Sequence, residues 1–154
     1  MLSARVNVNL EVNMLKNIPD TISPELLKVL MEMGHGDEIV IADGNFPSAS
    51  HTSRLVRADG LCVPRILDDI LKLFPLDSYV EFPITLMAVV PGDSVVPEIW
   101  DVYRKIIREH DQMAKIATLE RFAFYERAKK AYAVLATSEK ALYANIILCK
   151  GVVC

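Results

Sequence analysis

Cysteine is scarce in this chain: its 154 residues hold three, Cys62, Cys149 and Cys154, too few and too scattered for a disulfide framework. No C-x-x-C pair is present, so the usual zinc spacings are missing, and inert, buried thiols in a reducing cytoplasm are the expectation. An excess of charge of one sign is also lacking. Seventeen Lys and Arg against 20 Asp and Glu give a net charge of −3, which provides no electrostatic footprint for a phosphate backbone and removes nucleic acid as a partner. Long apolar runs are absent as well: the longest uncharged stretch, Phe82 to Gly92, has 11 residues with two prolines and a glycine, whereas a spanning helix needs ~20. No membrane segment is expected. The opening MLSARVNVNLEVN carries one basic residue and Asn at positions 7 and 9, so it lacks the apolar run of a signal peptide. There is no internal repeat, no G-x-S-x-G elbow, no Walker A loop and no G-x-G-x-x-G turn, which removes solenoids and the commonest hydrolase, NTPase and dinucleotide readings.

What is present suits one domain with its own core, since 52% of residues are hydrophobic and 24% charged. Residues 5–12 alternate apolar and polar (Val6, Val8, Leu10, Val12), a pattern of either an edge strand or a leader; Arg5 and three Asn favour a leader, so residues 1–13 are an extension to a domain over 14–154. Ser23 and Pro24 are good start signals for a helix over 24–33, with Leu26, Leu30 and Met33 on one face and Gly34 as its left-handed stop. Ile39 to Ala42 is a short all-apolar run of the kind found in strands covered on both faces, and Asp43 ends it.

Further helices are expected over 64–74, over 97–109 with Asp93 or Ser94 as cap, and over 122–130. Further strands are expected over 84–90, 115–118, 132–136 and 145–153. Alternating helices and doubly apolar strands imply an α/β fold, a layered αβα sandwich with a largely parallel central sheet. In such sheets ligands gather at the carboxyl ends of the strands, where Asp43 would stand.

The densest polar cluster is Gly34-His35-Gly36-Asp37-Glu38, in which two glycines leave the His35 ring uncrowded. His35 can be a proton carrier or a surface histidine, with Asp37 and Glu38 as solvated turn acids. Asp43 lies eight residues on, beyond a strand advancing ~3.3 Å per residue, so the two groups need not touch unless the chain folds back. A metal set of His35, Asp37, Glu38 and Asp43 is poorly supported, because no second histidine is close in sequence and no H-E-x-x-H occurs. His51 and His110 sit in polar contexts with no recognisable partner. Arg121, Tyr143 and Asn145 are donors suited to sugar hydroxyls, and a tyrosine ring can stack on the C–H face of a sugar; each also has an ordinary structural reading.

Several ordered motifs together resemble the L-fucose mutarotase and D-ribose pyranase family over about Leu15 to Val152. They are Gly34 to Val40, Asp43 with Phe46-Pro47, Arg57-Ala58-Asp59-Gly60, Leu76-Asp77-Ser78-Tyr79, Arg121 to Ala128, and Tyr143-Ala144-Asn145-Ile146-Ile147-Leu148. The blocks at Gly34 and Phe124 resemble the fucose branch. Tyr143-Ala144-Asn145 is similar to the ribose branch, since the fucose branch more often has glycine in the middle. The resemblance implies an isomerase that interconverts sugar anomers, on L-fucose or alternatively D-ribose, with a non-catalytic monosaccharide-binding protein as the reading from another class. It further implies His35 as proton donor, sugar binding by Asp43, Arg121, Tyr143, Ala144 and Asn145, no metal or organic cofactor, and a homo-oligomer.

Overall fold

Ile39, Val40, Ile41 and Ala42 are wholly buried, and they explain the architecture: a strand apolar on both faces must be covered on both. The computed structural model describes residues 14–154 and places this run in β1, Glu38–Ala42. The expected extension over residues 1–13 lies outside the described residues. In chain order α1 (Pro24–Glu32), β1, β2 (Leu55–Ala58), α2 (Val63–Leu71), β3 (Ile84–Met87), α3 (Ile99–His110), β4 (Ile116–Leu119), α4 (Arg121–Lys130), β5 (Ala133–Thr137) and β6 (Ile146–Cys149) form an α/β layered fold. The six strands lie in the order β2-β5-β1-β6-β3-β4. β1 pairs in parallel with β5, β5 with β2, and β3 with β4, so the largely parallel sheet is as expected. β6 runs antiparallel to both neighbours, with Ile41 opposite Ile146 and Leu86 opposite the same residue on the other side. No described helix is long and apolar enough to cross a membrane.

Alternate side chains of the sheet enter two cores. Ile39, Ile41, Ile84, Leu86, Leu135, Ile146 and Leu148 pack with α1, α2 and α3, whereas Val40, Ala42, Met87, Val134 and Ile147 pack with Phe124 and Ala128 of α4. The first side is strongly amphipathic: α2 buries Val63, Ile66, Leu67, Ile70 and Leu71, and α3 buries Tyr103 and Ile107. α4 buries only Phe124 and Ala128. Polar anchors complete its attachment. Glu120 caps it by accepting from the backbone N–H of Phe122 and Ala123, and Arg127 makes a two-pronged contact to Glu38 on β1, Nη2 to Oε1 at 2.5 Å and Nε to Oε2 at 3.1 Å. Arg127 Nη1 also donates to Thr85 on β3 at 3.1 Å. Glu38 is therefore a partly buried ion-pair partner rather than a solvated turn acid.

Several boundaries differ from expectation for local reasons. Ser23 caps α1 by accepting from Leu26 N at 3.1 Å, but Gly34 is not the left-handed residue. Met33 leaves the helix in an extended conformation, the Gly34 N–H donates to Asp37 Oδ2 at 2.8 Å, and Gly36 takes the positive φ of 85°. Neither Asp93 nor Ser94 caps α3, which starts after Glu98; Asp93 is engaged elsewhere. β3 stops at Met87 and β6 at Cys149, leaving Val90 and Val153 exposed. The helix over 64–74 ends at Leu71, although Phe74 stays buried through a following turn onto Ile70 O. β2 is a strand beyond those expected, and of the three thiols only Cys149 is buried.

Arg127→Met should isolate the Glu38 carboxylate. Breaking a fully buried pair costs roughly 3–5 kcal/mol, and with 35% of the Arg127 side chain exposed we expect about 2 kcal/mol, read as a lower urea midpoint at unchanged slope. Glu38→Leu with Arg127→Met should recover part of it.

Candidate active site

The antiparallel course of β6 brings the segment just before it against the carboxyl ends of β1 and β3. There Asp43, Asn45, Phe46, Met87, Val90, Asp93, Arg121, Tyr125, Leu142, Tyr143 and Asn145 line a cleft of about 190 Å³. Asp43 is buried, and its Oδ1 accepts from the backbone N–H of Asn45 at 3.0 Å and of Phe46 at 2.9 Å, which turns the chain sharply off β1. Burial pushes its carboxyl above the ordinary carboxylate range, and hydrogen bonds from the backbone of Asn45, Phe46 and Ala144 and from the Asn145 side chain hold the rise down.

The Asp43 N–H donates to Asn145 Oδ1 at 2.8 Å. Because a backbone N–H can only donate, that contact fixes the Asn145 amide with its oxygen toward the Asp43 N–H. Tyr143 has a positive φ of 57°, unusual for a residue with a side chain. α3 holds the turn: Trp100 Nε1 donates to Tyr143 O at 2.8 Å and Tyr103 OH to Ala144 O at 2.7 Å. Ala144 itself is wholly buried, so it shapes the turn through its backbone. At the first turn of α4, Arg121 Nε donates to Tyr125 OH at 3.3 Å, an i,i+4 contact along one helix face. Tyr125 stands edge-on to Phe46 and His51, with ring centroids 5.3 and 5.2 Å away. Hydrogen-bonding groups thus share the cleft with an apolar wall of Phe46, Met87, Val90 and Leu142.

Asp43, Arg121, Tyr143, Ala144 and Asn145, expected from sequence as a binding set, therefore come together at one end of the sheet. His35 does not join them. It precedes β1 whereas Asp43 follows it, and five strand residues at ~3.3 Å each put roughly 16 Å of sheet between the two ends. The chain does not fold back. His35 instead pairs with Asp77, Nε2 to Oδ1 at 3.0 Å, beside the exposed Tyr79 ring at 5.3 Å between centroids. Asp77 is buried; the Tyr79 N–H bonded to its Oδ1 at 3.0 Å, followed by His35, holds its carboxyl below the usual range. A carboxylate of that kind fixes the orientation of an imidazole.

Asp77, Asp93 and Tyr125 were not picked out as functional from sequence. Asp77 and Tyr125 stand inside the family-like motifs, and Tyr125 is four residues beyond Arg121, a spacing that could have revealed it. His51 and His110 do have partners: His51 Nδ1 lies 3.0 Å from Pro47 O, and His110 Nε2 lies 2.7 Å from Asp68 Oδ1, joining α3 to α2. Among the described residues no three His, Cys, Asp or Glu side chains gather as a metal site. Cys149 is shielded, its thiol pushed up to about 11 by burial.

Comparison with known proteins places the chain among relatives. Residues 16–153 match the model of the RbsD / FucU transport protein family. The fucose mutarotase of Homo sapiens is 51% identical over 144 residues, covering 90% of this chain and 94% of the relative. The crystal structure of the fucose mutarotase of Streptococcus pneumoniae in complex with L-fucose superposes with a TM-score of 0.87 at 59% identity, over 91% of this chain and all of that one. The structure of Bacillus subtilis RbsD complexed with D-ribose shares the fold at 23% identity, with a TM-score of 0.67 over 86% of this chain and 95% of that one. With the family model spanning nearly the whole described chain, this protein belongs to the RbsD / FucU transport protein family.

Proposed function

We propose that this chain is an isomerase, an L-fucose mutarotase that interconverts the α and β anomers of the free sugar. The observation that carries the reading is the cleft at Asp43 and Asn145, a ring of sugar-hydroxyl partners facing an apolar wall, in a chain 59% identical to a protein crystallised with L-fucose. Asp43 accepts hydroxyl protons, Arg121 and the Asn145 amide donate, and the Tyr143 ring and the Tyr143 to Asn145 backbone form one side of the seat. Opening the ring requires the anomeric hydroxyl to lose a proton while the ring oxygen gains one; closure on the other face of the aldehyde reverses both transfers. His35 is the acid and base, because imidazole can give and take a proton near neutral pH, and Asp77 keeps it oriented. No electron or group is transferred, so the reaction needs no cofactor.

Because His35 and the cleft occupy opposite ends of β1, a complete site takes both from different copies. The protein is therefore a homo-oligomer in which one copy's cleft receives His35 of the partner subunit. The exposed thiols Cys62 and Cys154 suit a reducing cytoplasm.

Exchange NMR on freshly dissolved α-L-fucose tests the activity directly, and sugar that binds without faster anomer exchange would leave only a binding protein. His35→Gln should fold normally and lose about 10²-fold or more in exchange rate, since Gln can hydrogen-bond but cannot relay a proton. Mixing dissociated His35→Gln and Asn145→Ala proteins should restore about a quarter of wild-type activity on reassembly, the fraction of sites that pair an intact cleft with an intact neighbour. A mixture as inactive as its parents places His35 chemistry within one copy or removes it. The wall of Met87, Val90 and Leu142 has a methyl group to bury in L-fucose and none in D-ribose, so exchange should be about five- to tenfold faster with fucose. Faster turnover of ribose would assign the chain to the other branch.

A further inference from the structure

Tyr143 enters the sugar cleft in a backbone conformation that its side chain disfavours, and the loop between β3 and α3 meets its phenol from two directions. Val90, Pro91, Gly92 and Asp93 form a tight turn: the Asp93 N–H donates to Val90 O at 3.0 Å, and Gly92 supplies a φ of 90° that a residue with a Cβ resists. The turn delivers two groups to one oxygen. Tyr143 OH donates to Asp93 Oδ2 at 2.5 Å and accepts from the Val90 N–H at 3.4 Å. The other Asp93 oxygen, Oδ1, accepts from the Val95 N–H at 3.0 Å, which fixes the carboxylate relative to its own loop.

We propose that Asp93 is a positioning residue for sugar binding, one that seats the Tyr143 side chain in the cleft and commits its phenolic proton away from the sugar. A phenol has one proton to donate. With that proton held by Asp93, Tyr143 faces the sugar as an acceptor, and the hydroxyl that meets it must be a donor. The direction of both titrations agrees: the contact lowers the Asp93 carboxyl and raises the Tyr143 phenol. Trp100 and Tyr103 hold the backbone of the same turn, so residues 90–103 fix Tyr143 at main chain and side chain alike. Asp93 does not cap a helix because α3 starts after Glu98, five residues further on, and its carboxylate is used here instead.

The proposal rests on the cleft being a monosaccharide site, and its test separates the two. Steady-state exchange NMR with L-fucose is run on wild type, Asp93→Ala, Asp93→Asn, Tyr143→Phe and the Asp93→Ala/Tyr143→Phe double variant, with melting temperatures to confirm folding. The 13Cζ resonance of labelled Tyr143 is recorded without sugar. Asp93→Ala should raise KM about tenfold with kcat within about threefold, and should shift the Tyr143 resonance. Asn keeps an oxygen that can accept the phenol, so Asp93→Asn should recover most of the KM. The double variant should be no worse than Tyr143→Phe, because both changes remove one coupled interaction. An unchanged KM and resonance in Asp93→Ala, or effects that add fully in the double variant, would overturn the proposal. Absence of exchange in wild type overturns the mutarotase reading instead, and the sugar-free resonance then decides the role of Asp93 alone.

Discussion

One hydrogen bond ties the binding end of this molecule together: the backbone N–H of Asp43, at the end of β1, donates to the side chain of Asn145, at the start of β6. It is possible only because β6 runs antiparallel between β1 and β3. In an all-parallel sheet the residues before a strand lie at the opposite end from the residues after its neighbours. Reversing one central strand puts the entry to β6 beside the exits of β1 and β3, so Tyr143, Ala144 and Asn145 meet Asp43 and Met87. Both Asp43 and Asn145 are buried; an apolar residue at 145 would leave the Asp43 N–H unpaired, and one at 43 would remove the carboxylate that accepts from the Asn45 and Phe46 N–H groups.

The other half of the cleft depends on a helix with little apolar surface to hold it. α4 reaches the sheet through Phe124 and Ala128, and through Arg127 on Glu38 and Thr85. The ion pair sits at the amino end of β1, while Arg121 and Tyr125 reach the cleft at the carboxyl end, so the pair fixes one end of α4 and Glu120 caps the other. Hydrophobic burial alone would leave the rotation of such a helix weakly specified; a two-pronged guanidinium contact has directional geometry that apolar packing lacks.

The parts of this molecule legible in its amino-acid order are those set by local periodicity and caps. Ser23-Pro24 starts α1, and Ile39 to Ala42 form a doubly covered strand, because both signals act within a few residues. The direction of β6 was not legible, since Ile146 to Cys149 is equally apolar in either orientation. Nor were the duties of Asp93 and His110: the first serves a tyrosine 50 residues away and the second an aspartate 42 away, contacts that no local pattern encodes. The proposed binding set, Asp43, Arg121, Tyr143, Ala144 and Asn145, is singled out by family-like motifs rather than by spacing. Its assembly at one end of the sheet is a property of topology.

That topology also governs how the proposed chemistry can be organised. The proposed binding groups stand at the carboxyl ends of the strands and the His35–Asp77 pair at the amino end of β1, so the two surfaces face away from each other. A contact that joins them is necessarily between unlike patches, head to tail, and such contacts either close into a ring or continue as a filament. In a ring every cleft receives a histidine, whereas an open chain leaves one cleft without a histidine and one histidine without a cleft. The exposed apolar residues support a contact of this type, for Tyr79, Val80 and Phe82 lie in the loop beyond Asp77, and Val90 and Leu142 line the cleft. In the proposed oligomer, burying these two patches against each other would exclude water from the reacting sugar and assemble its proton carrier in one step, so closure of the ring would also complete the site.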